Sequence, residues 1–260
     1  VAWKYPKVRT AGIDLAAQAA NTGVCVVDWE RRAVDLLAVN DAGDPDGELV
    51  GLICGPGVVR TGIDTPLGWP DRFVDAVVAH HTGRGWPAGD DGSRRGFRLR
   101  HTDEVVAATT GRHPMSVSAD RIAVAAMRGA DLQRRVVERL GARAVDRSGV
   151  TGRVAEVYPA AALGCWGLPA SGYKGGGDAA RTARRHLLAG VVKRCGVTLT
   201  PQQRALALGS DHVLDALVCA VVARAVVDGG TASPDRGTRT RARREGWIHV
   251  PYPDWSPGPG

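Results

Sequence analysis

The chain has 260 residues, enough for one large α/β domain or two small ones. Hydrophobic residues make up 44% and charged residues 23%, which excludes a disordered or fibrous chain, and no apolar run approaches the roughly 18–20 residues of a membrane span. The 34 Lys and Arg against 27 Asp and Glu leave a formal charge of +7. That charge admits a nucleic-acid partner and equally a solvated, arginine-rich surface. The five cysteines form no Cys-x-x-Cys pair and sit mostly in apolar surroundings. They point to reduced thiols in a cytoplasmic setting, with no disulfide framework or zinc site. The opening ten residues lack the apolar segment of a secretory signal.

In chain order, residues 8–15 read as a strand. Residues 23–29 and 32–39 follow at short spacing, and three β-rich runs so joined predict an antiparallel meander. A polar loop over 40–47 leads into a short helix at 48–54. Residues 58–65 form a further strand ended by Pro66, and the intervening helix allows it to run parallel to the first. Residues 70–82 carry Phe73, Val74, Val77 and Val78 at helical spacing behind a proline. A Gly-, Asp- and Arg-rich stretch over 83–96 predicts a loop. Helices are predicted from Thr102 to Thr110 and over 118–140, the latter broken near Gly129. Residues 153–158 form a strand stopped by Pro159, followed by a helical turn at 160–166. A Gly-rich loop holding Tyr173 and Lys174 then precedes helices at 178–194, 201–208 and 211–227. Residues 231–260, rich in Arg, Gly and Pro, predict a C-terminal tail, partly disordered up to about 245, with a possible edge strand at 247–250.

A meander followed by α-crossovers into parallel strands is the pattern of the ribonuclease H-like fold. The expected architecture is α/β: a mixed sheet, three antiparallel strands plus parallel ones, with helices on both faces. It forms one domain over 1–230, with a helical and loop insertion near 83–150.

Acidic residues sharpen the expectation. Asp14 stands in an apolar strand, where an unpaired charge is costly. Asp64 ends a strand, Glu156 lies within one, and Asp215 sits in the most apolar helix, four residues after Asp211 on the same face. Carboxylates on adjacent strands and a facing helix can hold two divalent ions about 4 Å apart, and all-oxygen ligation suits Mg²⁺ or Mn²⁺. Each has a plainer reading: Asp14 paired with Arg9 or Arg60, Asp64 forming a turn, Glu156 facing solvent, Asp211 capping a helix. His212 can serve water or metal, or be merely structural.

The segments GIDLA, GIDTPLGWP, RHTDEVV, AEVYPAA, GYK, DHVLDALVCAVVARA and EGWIHVP occur in that order, in a resemblance that runs from about residue 8 to residue 252. Together they resemble the domain-of-unknown-function family 429, described as a predicted nuclease with an RNase H-like fold. The segment HVLDALVCA also resembles the final-helix motif of RuvC-like resolvases. The resemblance implies a metal set of Asp14, Glu156 and Asp215 with Asp211 or His212 as fourth ligand, and leaves Asp64 as a supporting neighbour. Arg98 and Arg100 lie in a family-like motif with Thr102 and Asp103. They are candidates to hold phosphates, or Arg–Asp pairing fixes a helix start. Lys174 and Tyr173 are candidates to meet a phosphate and a base.

The expected function is a Mg²⁺- or Mn²⁺-dependent nuclease with Asp14, Glu156 and Asp215 as catalytic residues. The alternatives are a non-catalytic nucleic-acid-binding protein on a nuclease scaffold and, last, an actin-like ATP-dependent phosphotransferase. The last lacks convincing glycine-rich phosphate loops after strands.

Overall fold

A computed structural model describes residues 8–40, 43–87 and 91–258, with the side chains of 91–93 left aside. Two pieces of the loops expected at 40–47 and 83–96 (residues 41–42 and 88–90) lie outside the described residues. Six strands form one mixed sheet: β1 Arg9–Asp14, β2 Gly23–Asp28, β3 Ala33–Val39, β4 Val58–Asp64, β5 Val154–Val157 and β6 Ile248–His249. Their order across the sheet is β3-β2-β1-β4-β5-β6. The first three strands pair antiparallel; β1 with β4, β4 with β5, and β5 with β6 pair parallel.

Side chains alternate between the two faces of a strand, so two cores are expected. One face carries Ile13, Val24, Ile63 and Val154, packed with α1 (Pro45–Cys54) and α5 (Ala123–Leu140) through Leu49, Ile53, Leu132 and Val136. The other carries Cys25, Val27 and Val157 against α6 (Pro159–Cys165), α7 (Asp178–Cys195), α8 (Pro201–Gly209) and α9 (Asp211–Val227). Helix α9 is apolar nearly all round, as a helix covered on every side must be.

Three glycines on neighbouring strands let α9 lie close to the sheet. A Cβ on Gly12 would stand 2.0 Å from the Ala216 carbonyl oxygen, one on Gly23 2.1 Å from that of His212, and one on Gly62 2.4 Å from that of Cys219. No side chain fits at those separations, so the helix backbone rests directly on β1, β2 and β4. Thr10 Oγ1 donates to the Ala220 carbonyl at 2.7 Å and accepts from Trp29 Nε1 at 2.8 Å, anchoring the same contact.

Three expectations change. The stretch 83–96 includes part of a helix, α3 (Asp91–Arg98), after α2 (Asp71–His81). Helix α5 runs unbroken through Gly129, where a Cβ would stand 2.9 Å from Thr65 Cγ2; this glycine serves close packing rather than a break. The stretch 231–245, expected to be partly disordered, carries α10 (Arg239–Glu245) and leads straight into β6. Order there comes from partners far back in the chain. The Glu245 carboxylate accepts from the Asp71 and His101 N–H groups, its carbonyl accepts from Arg100, and Arg244 pairs with Asp71. Beyond it, Arg194 donates to the Trp255 and Pro253 carbonyls, and Trp255 stacks on Trp166.

All five cysteines are free thiols. Among the described residues no single helix is long and apolar enough to cross a membrane.

Candidate metal centre

The tripeptide Gly-Ile-Asp occurs twice, ending β1 and β4, and the parallel register sets the two copies side by side: Gly12 beside Gly62, Ile13 beside Ile63, Asp14 beside Asp64. The isoleucines point into one core. The aspartates point to the opposite face, two residues beyond the glycines that seat α9. Helix α9 enters over those strand ends, its first turn capped by Ser210, and delivers Asp215 between them. One ligand oxygen from each of Asp14, Asp64 and Asp215 lies within 4.8 Å of the other two.

Three carboxylates this close repel one another and resist ionising together. Burial, and then the neighbouring Asp14 charge, hold Asp64 well above the usual carboxylate range. Burial likewise pushes Asp215 up to about 6, with Asp14 adding to the rise and Lys174 opposing it.

Two basic groups and a phenol meet the cluster. Lys174 Nζ donates to Asp215 Oδ2, and Tyr173 Oη donates to Asp215 Oδ1 at 2.9 Å. Burial works against the Lys174 charge, but Asp215, Asp64 and Asp14 outweigh it and raise its pKa. His212 Nδ1 stands 2.6 Å from Asp14 Oδ2, and this hydrogen bond raises the histidine pKa. The loop carrying Tyr173 and Lys174 is tied down from beneath. Buried Arg184 donates to the carbonyls of Tyr173 at 2.7 Å and Gly175 at 2.8 Å, and its Nε to that of Leu208.

A family model described as "Protein of unknown function (DUF429)" matches residues 12–239. The chain belongs to this family. The matched span holds the three clustered aspartates together with Tyr173, Lys174 and His212, so the whole site falls within the DUF429 region. Searches of the curated proteins and of the solved structures found no match.

Glu156, expected as a ligand, lies on the other side of this DUF429 sheet. Its register partner on β4 is Ile63, not Asp64, so its side chain points to the face that the isoleucines occupy. There its two oxygens accept from Arg100 Nη2 at 2.7 Å and Nη1 at 2.8 Å, and from the Leu67 backbone N–H at 2.9 Å. Arg100, expected at a phosphate, is 1% exposed. Its remaining donors go to Asp103 and the Glu245 carbonyl. It also makes a capping box with Asp103 at the start of α4 (His101–Thr110), the helix-fixing role that the sequence left open. Arg98 is exposed at the end of α3. Asp211 opens α9 partly exposed, outside the group of three, where its charge helps to raise the His212 pKa.

Asp64, expected only as a neighbour, is the residue the structure adds to Asp14 and Asp215. The repeated Gly-Ile-Asp was the available signal. Two identical strand ends in one parallel pair bring like residues together whenever the registers align.

Proposed function

We propose that this protein is a divalent-metal-dependent nuclease on a ribonuclease H-like fold. The observation that carries the reading is the cluster of Asp14, Asp64 and Asp215 at two adjacent parallel strand ends and a crossing helix. The sheet supports it: an antiparallel three-stranded meander whose first strand continues into parallel β4 and β5 matches the arrangement expected of that fold. The donor set fits a hard cation. It offers carboxylate oxygens only, close together, with a surplus of negative charge that Lys174 and His212 meet only in part.

Asp14, Asp64 and Asp215 would hold Mg²⁺ or Mn²⁺. When bound, such ions supply a water activated for attack on a phosphodiester and charge to stabilise the leaving oxygen. Tyr173 fixes the rotamer of Asp215 through its hydroxyl. His212 presents Nδ1 to Asp14 on a ring whose side chain is 35% exposed, so Nε2 is free to exchange a proton with solvent or substrate. Lys174, 53% exposed at the rim, places a positive charge where a phosphate would approach.

The test is cleavage of labelled DNA and RNA with Mn²⁺ or Mg²⁺ by the full chain and by Asp14→Asn, Asp64→Asn and Glu156→Gln. Activity falls by at least about a thousandfold in the first two, and persists in the folded fraction of the third. Cleavage that survives Asp64→Asn but not Glu156→Gln would overturn the ligand set. Metal-independent binding of nucleic acid by the parent, with no cleavage of either polymer, would favour the non-catalytic alternative.

A further inference from the structure

A second basic feature lies away from the carboxylates, on the α5 face. A cleft of about 700 Å³ opens between the middle of α5, the segment 143–151 and α10. Arg134, Arg143, Arg147 and Arg243 line it, against a single carboxylate, Asp146.

That carboxylate is largely spent on its own loop. Its oxygens accept from the N–H and hydroxyl of both Ser148 and Thr151, and its approach to Arg243 is a long 3.9 Å. Arg134 is held by Asp131 and Glu138 along its helix. The other cations are under-matched. Arg143 makes no hydrogen bond or ion pair with the described residues. Among the described residues Arg147 donates only to uncharged acceptors, Gln133 Oε1 at 2.9 Å and the Arg244 carbonyl at 3.3 Å. Burial without a facing carboxylate lowers the Arg147 pKa. A half-buried guanidinium with no counter-ion is costly, and an anion entering the cleft relieves that cost.

The floor is apolar where Ala130, Val137 and Val145 meet it. A volume of this size suits a small organic ligand rather than a bare ion. We propose that the cleft takes a nucleotide, its phosphate held by Arg143, Arg147 and Arg243 and its base or sugar on the apolar floor. The nucleotide is either free or one unit of a nucleic-acid strand, and the assignment is independent of metal at the carboxylates. If the source is a strand, α5 supplies the connection. Gly129 packs on Thr65 and Leu15, just past Asp64 and Asp14, and the helix from there to Val137 is about 12 Å long.

The experiment uses the full chain in EDTA, so that no cleavage intervenes. AMP binding is measured by calorimetry, and binding of a labelled single-stranded oligonucleotide by anisotropy across a salt series. The comparison variant is Arg143→Glu/Arg243→Glu, at two exposed positions; Arg143→Gln/Arg243→Gln replaces it if circular dichroism shows unfolding. If the ligand is a free nucleotide, AMP affinity drops roughly tenfold or more in the variant. If it is a strand, oligonucleotide affinity drops likewise and the salt slope shrinks by about 1.4. Either loss supports the cleft, and the probe that shows it names the source. Binding of neither probe by the parent, or equal binding by parent and variant, overturns it.

Discussion

Two buried clusters of acid lie on opposite faces of one sheet, and they differ in bookkeeping of charge. Around Arg100, the carboxylates of Glu156 and Asp103 and the Glu245 carbonyl take every guanidinium N–H. The Glu245 carboxylate itself accepts from the backbone N–H groups of Asp71 and His101, the opening residues of α2 and α4. Each polar group there has a partner, and the network ties α2, α4, α10 and β5 together. The cluster at Asp14, Asp64 and Asp215 is the opposite. Three acids converge, and among the described residues no backbone N–H or arginine donates to Asp64. A satisfied buried network holds structure in place, while a surplus of like charge at strand ends calls for a ligand.

The comparison breaks most sharply at Arg100. Replacing it by methionine leaves Glu156 and Asp103 buried without their counter-charge, and stability falls by about 3–5 kcal/mol. Urea unfolding measures the loss, and adding Glu156→Gln to that variant recovers part of it. No recovery would mean that the charges are not coupled as the geometry indicates.

A second probe of satisfied burial is His249 on β6, which is 1% exposed. Its Nε2 faces the Ser148 carbonyl at 3.1 Å and so carries the proton, which leaves Nδ1 to accept from Thr231 Oγ1 at 2.9 Å. Burial, with the Arg60 charge adding to it, lowers the pKa from 6.5 to about 4. Above pH 6.5 the ring is neutral folded or unfolded, and its contribution to stability is fully present. As pH falls toward 4 the unfolded state takes up the proton first, and roughly 3 kcal/mol is lost. His249→Gln flattens that part of the stability–pH curve; an unchanged slope would place the histidine's charge elsewhere.

The sheet was readable because its signals are local. Alternating apolar residues and Pro66 and Pro159 mark where β4 and β5 run and stop. Asp14 and Asp215 stood out as charges in apolar runs. The role of Glu156 depended instead on register. Shifting its pairing by one residue would have turned the side chain to the face of Asp14 and Asp64, and nothing within residues 153–158 states the pairing. The ordered tail was hidden for a related reason. Its composition is that of a loop, and what fixes it are contacts of Arg244 and Glu245 with Asp71, Arg100 and His101 far back in the chain.

Metal addition sharpens the contrast from the other side. With Mn²⁺ at about a hundred times its dissociation constant, the parent gains roughly 2.7 kcal/mol in unfolding free energy. Asp14→Asn and Asp215→Asn gain nothing, whereas Glu156→Gln gains as much as the parent from its lower starting point. An equal gain in every variant would mean that the ion binds elsewhere on the protein.

The smallest effect separates the clusters without any metal. In EDTA, Asp64→Asn relieves the crowding of three acids that resist ionising together and leaves no donor among the described residues without its acceptor, so stability changes by no more than about 1 kcal/mol, toward a gain. Glu156→Gln is a change of the same chemistry on the other face. It weakens a double fork to a buried arginine and lowers stability by about 3 kcal/mol. Denaturant midpoints at matched slope read both values. If the two variants lost stability equally, the Asp64 carboxylate would have to be as well paired as that of Glu156, and the surplus charge that points to a cation would be gone.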